Sequence, residues 1–71
     1  MVDIERLKDI IDDSGMTMTA ISKKSNILRP TLYNRLNGVG EFTASEITSL
    51  TAVLHLTETQ RNEIFLSQTV N

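Results

Sequence analysis

The sequence predicts an all-α domain of five helices, and three observations carry that prediction. Aliphatic residues recur at helical spacing, as Ile4, Leu7 and Ile11 near the start and as Ile47, Leu50 and Leu54 further on. Two stretches, Thr43-Ala44-Ser45-Glu46 and Thr57-Glu58-Thr59-Gln60, have the spacing of capping boxes, which mark helix N-termini. Between Thr17 and Asn37 lie two short amphipathic segments hinged on Ser25-Asn26. Each is about two turns long and too short to be stable alone, so they must pack on each other and on the rest of the chain.

Helix 1 is expected over residues 3–14. Asp3 can cap it, and an acid in the first turn suits the positive end of the helix dipole. Ile4, Leu7 and Ile11 form its apolar stripe with Ile10 beside them, and Ser14-Gly15 stops it, Gly15 being suited to the left-handed residue after a helix. Asp12 and Asp13 sit at the negative end of this helix, where they are tolerated surface charges or face a basic partner.

Thr17 opens helix 2, with Met16 placed to staple onto Ile21. Ser25-Asn26 is the turn. Asn accepts a positive φ better than other non-glycine residues. Helix 3 begins near Arg29-Pro30, since proline is tolerated in a first turn, and ends at Asn37-Gly38. Leu32 and Leu36, one turn apart, define its buried side, so Thr31, Tyr33, Asn34 and Asn37 point elsewhere. Gly38 and Gly40 bracket a loop. Helix 4 runs from Thr43 to near His55, with Phe42 placed to staple onto Ile47. Helix 5 opens at Thr57 and buries Ile64 and Phe65. The last six residues, 66–71, are expected to add an extra turn at most and then to fray. The expected core is Leu7, Ile11, Ile21, Ile27, Leu32, Leu36, Ile47, Leu50, Leu54 and Ile64.

Seventy-one residues make one domain, which buries only about 60–65% of its unfolded surface. There is no cysteine, so neither a disulfide nor a thiolate-metal site reinforces it. No apolar run approaches the roughly 20 residues of a membrane span, and the first residues lack a signal-peptide pattern. Catalysis is not expected. His55 is the single histidine, and its place at the end of an apolar stripe is that of a helix-terminal or packing residue. The acids show no metal-ligand spacing, and Gly38-Val39-Gly40 is too short for a phosphate loop.

The formal charge is −2, but it is unevenly spread. Residues 16–40 hold Lys23, Lys24, Arg29 and Arg35 and no acid. All nine acids lie elsewhere, against Arg6, Lys8 and Arg61. A basic patch on an acidic body is an electrostatic footprint for phosphate, although four bases on surface helices also serve as ordinary solvated charges.

Residues 17–38, with TMTAISKKSNILRPTLYNRLN and above all TLYNRLNG at 31–38, resemble the helix-turn-helix of the phage Cro/repressor family. ITSLTAVLHLTETQRNEIF at 47–65 is similar to the ends of such proteins. More narrowly, the chain is similar to the modulator-of-repression proteins of temperate phages, Cro-sized partners of the lysogenic repressor. The resemblance implies a phage repressor-like DNA-binding fold and a transcriptional regulator of the lytic/lysogenic switch in the bacterial cytoplasm, without cofactor or small-molecule ligand. Two mechanisms are implied, singly or together: binding of operator DNA as a Cro-like homodimer, or binding and modulation of the phage repressor. An antitoxin-type DNA-binding module is the alternative.

In that family the second helix enters the major groove with its N-terminal residues against base edges. Carried over by position, the reading residues are Leu28, Arg29, Pro30, Tyr33 and Asn34, with Thr31 on the same helix. Arg29 suits guanine and Asn34 suits adenine. Thr17, Lys24 and Asn37 are placed to hold phosphates. Tyr33 and Asn34 read equally as plain surface residues. The chain departs from the family after Ile27, where a small polar residue is common. Leu28 cannot cap, and Pro30 offers no N–H. Leu28, Pro30 and Tyr33 beside Arg29 and Asn34 look suited to a protein surface, which keeps a repressor-binding role beside the DNA-binding one.

Overall fold

The computed structural model describes residues 2–69 and, within them, side chains through Leu66. Five helices follow in order: α1 Ile4–Ser14, α2 Met18–Ser25, α3 Arg29–Leu36, α4 Ala44–Val53 and α5 Glu58–Thr69. There is no strand among the described residues.

Local chemistry sets most helix ends. The Asp3 carboxylate accepts the Arg6 N–H at 3.1 Å, and the Thr17 hydroxyl accepts the Ala20 N–H at 3.1 Å. Gly15 ends α1 at φ 72°, and Asn26 ends α2 at φ 62°, both left-handed. The Thr43/Glu46 capping box is complete in both directions. Thr57 and Gln60 likewise exchange two bonds, of 2.9 and 3.1 Å. α4 stops at Val53, and His55 takes a positive φ of 54°. The histidine is exposed, so it ends the helix and does not pack. Its turn carries Leu56 into the core.

α2 packs against α4 and α3, while α5 packs against α1 and α4. The start of α1 is pinned to α5 by the Asp3 N–H on the Ile64 carbonyl at 2.9 Å and by an exposed Arg6–Glu63 ion pair at 2.9 Å. Leu32 and Leu36 are buried together, as their spacing requires.

Three residues depart from the expected burial. Ile47 is only half-buried and lines a cleft between α4 and α5. Phe42 and Leu56 are buried instead. Phe42 meets Phe65 edge-to-face, with ring centroids 5.2 Å apart and planes at 72°. Both rings line the same cleft as Ile47, which stands at its rim a turn before Leu50. α5 continues to Thr69, which includes the extra turn allowed from the sequence. Of residues 66–71, where fraying is expected, 66–69 are helical, and Val70 and Asn71 lie outside the described residues. No helix among the described residues is long and apolar enough to cross a membrane.

Candidate functional site

α2 and α3 are joined by Asn26, Ile27 and Leu28. Asn26 reverses the chain in the left-handed conformation. Ile27 is buried, and hydroxyls satisfy its backbone on both sides: Ser22 donates to its carbonyl at 2.5 Å, and the Ser25 hydroxyl accepts its N–H at 3.3 Å. Ser25 is itself buried, which explains a serine at a position where the helix faces inward. Neither serine is marked by spacing alone, because both act on the turn that follows them. The turn is therefore rigidly anchored through Ile27, and the next residue is thrown outward. Leu28 is 74% exposed, the most exposed of the large hydrophobic side chains described.

Leu28 occupies the N-cap position of α3 and makes no side-chain cap bond. Pro30 follows in the first turn, where its missing N–H costs nothing. Tyr33 is 43% exposed, and Arg29, Pro30 and Asn34 are also exposed. Residues four apart on a helix are neighbours, so Arg29, Tyr33 and Asn37 form one outward row and Pro30 and Asn34 another beside it. Thr31 is half-buried and, with Leu28, lines an open groove of about 430 Å³ between the turn and α4, opposite Ser45, Glu46 and Ser49. Thr31 thus stands on the groove facing α4, off the fully buried side of Leu32 and Leu36. Thr17 is exposed at the start of α2 but spends its acceptor on the cap. Lys24 is exposed near the end of α2, with its Nζ 4.0 Å from the Met16 sulfur. Asn37 is exposed and caps the end of α3.

One cation leaves the basic set. The Arg35 Nε donates to the Glu46 carboxylate at 3.2 Å, and its Nη1 donates to the Val39 carbonyl at 3.3 Å. Both side chains are largely buried, at 21% and 15% exposure. The same Glu46 oxygen accepts the Thr43 N–H at 2.9 Å, so one carboxylate caps α4 and holds α3 to it. Lys23, Lys24 and Arg29 form no ion pair among the described residues. The stretch read as +4 therefore presents three outward cations. The loop after α3 also exposes Val39, at 56%, which the sequence reading did not single out.

The face consists of an apolar tip, a polar and aromatic row, and three cations. It can make apolar contact, donate to carbonyl or phosphate oxygens, and make bidentate contacts through Arg29 and Asn34. No group of His, Cys, Asp and Glu among the described residues is placed to hold a metal ion. Comparison with protein-family models, with curated proteins and with solved structures finds no match for the chain.

Proposed function

We propose that the chain is a non-catalytic transcription regulator of the temperate-phage type that works through the exposed face of α2, the turn and α3, by docking on a repressor protein. The carrying observation is Leu28, held 74% exposed at the tip by the buried Ile27 beside it. A side chain of that size facing water loses nothing by meeting a protein pocket, and it opposes a phosphate backbone. Tyr33 and Arg29, the residue types enriched in interface hot spots, adjoin it. The loss of Arg35 to Glu46 supports the same choice, because it removes a quarter of the charge on which a phosphate footprint rests.

Titration of the repressor with this protein, read by pull-down and by gel shift of the promoter region, tests the proposal. Leu28→Asp is expected to weaken the complex by ~2 kcal/mol or more with helicity unchanged. Full retention of the repressor by Leu28→Asp and by Tyr33→Ala would remove this face from the interface.

Direct operator binding is the second reading, supported by the exposure of Arg29, Asn34 and Asn37 with Lys23 and Lys24 beside them. In that case Arg29→Ala should weaken operator binding by ~1–3 kcal/mol and relax specificity at one position, while Lys24→Ala should lower affinity for all sequences alike. A promoter that this protein alone does not shift would reject it.

A further inference from the structure

We infer that Asn37-Gly38 is a latent succinimide site, held unreactive by the folded end of α3 and opened when the Arg35–Glu46 clasp lets go. In the reaction the Gly38 backbone nitrogen attacks the Asn37 side-chain carbonyl carbon. The nitrogen's proton is relayed through water to the carboxamide nitrogen, which leaves as ammonia, and a five-membered imide forms. Water then opens the imide at either carbonyl, leaving aspartate or isoaspartate at position 37. Water is the only co-reactant. Glycine is the residue after asparagine that hinders the attack least, because it has no Cβ.

Asn37 and Gly38 are both exposed, so access of water does not limit the reaction. Backbone geometry does. Ring closure needs the Asn37 Cβ and the Gly38 nitrogen eclipsed about the Cα–C bond. Asn37 has φ −96° and ψ 7°, close to helical, and this keeps them well apart. The backbone N–H groups that would have to rotate are also engaged. Asn37 donates to the carbonyls of Tyr33 and Asn34, Gly38 to that of Arg35 at 3.1 Å, and Val39 to that of Asn34 at 2.8 Å. The Arg35 side chain closes the arrangement, bonded to the Val39 carbonyl on one side and to Glu46 on the other. Turning Asn37 into the reactive conformation therefore requires the last turn of α3 to open and strains the clasp.

The product would place a carboxylate at the negative end of the α3 dipole, in the row shared with Arg29 and Tyr33. That consequence rests on the function proposed above. The chemistry does not, and its test uses no partner.

The protein is incubated in mildly alkaline buffer, with and without denaturing urea, and digested with trypsin. The peptide 36–61 contains Asn37 as its single asparagine, so its gain of about one mass unit follows the reaction over time. The folded protein is expected to react at least about tenfold more slowly than the unfolded chain, as a local opening step demands. Glu46→Gln, which keeps an acceptor for the α4 cap but loses the charge, should speed the folded reaction severalfold with helicity retained. Glu46→Ala should speed it further. Equal rates in folded and unfolded protein would overturn the gating. A rate for folded Glu46→Gln and Glu46→Ala equal to that of the unmodified chain would overturn the role of the clasp.

Discussion

Replacing Phe65 by alanine measures how much of the domain depends on the Phe42–Phe65 pair. Phe65 is 2% exposed, and its ring stands edge-on to that of Phe42 at 5.2 Å. Truncating a buried phenylalanine costs ~3–5 kcal/mol, of which the ring pair itself supplies about 0.5–1.5 kcal/mol. The whole domain, at ~0.05–0.15 kcal/mol per residue, has only about 4–10 kcal/mol to lose. Phe65→Ala should therefore remove roughly half of the stability or all of it. Urea titration followed by far-ultraviolet circular dichroism reads this directly. With a slope near 1 kcal/mol per molar for a chain this small, the midpoint should fall by about 3 M or disappear. Phe42→Leu, Phe65→Leu and the double variant then isolate the ring pair without unfolding the chain, with an expected coupling of about 1 kcal/mol. Leu66→Ala, at a side chain 49% exposed, is the comparison and should cost about 1 kcal/mol or less. A loss below ~1.5 kcal/mol for Phe65→Ala, the range of a volume-conserving swap, would refute the reasoning, since α5 would then not be seated through this ring.

Asn26 holds φ 62°, so Asn26→Val should lower stability by about 1–2 kcal/mol in thermal unfolding while Asn26→Gly leaves it nearly unchanged. Gly40 also has a positive φ, of 73°, and a Cβ there would run into Nη1 of Arg35. Gly40→Ala should thus cost about 1 kcal/mol or more. Adding Arg35→Ala should restore part of that loss, giving a coupling of at least about 0.5 kcal/mol in a double-mutant cycle.

The sequence by itself determined what is local. The caps at Asp3, Thr17, Thr43 and Thr57 join atoms three residues apart, so composition and spacing suffice to place them. The left-handed turn at Asn26 follows from one residue's conformational preference, and the burial of Leu32 and Leu36 from the helical period. Only the tertiary structure decided which of several apolar residues reach the core. Ile47 has the period of Leu50 and Leu54, yet it stands half-buried at the rim of a cleft that Phe42 and Phe65 also line. Leu56 lies outside any periodic stripe and is buried because His55 turns the chain inward. The candidate face was likewise half legible. Arg29, Tyr33 and Asn34 project outward, as the helix period requires. Arg35 counts as a free cation in any reading of composition. Its pairing with Glu46 depends on the path of the loop between α3 and α4, which brings together residues eleven apart. Charge in a sequence is a sum, whereas charge on a surface is what remains after the fold has paired some of it.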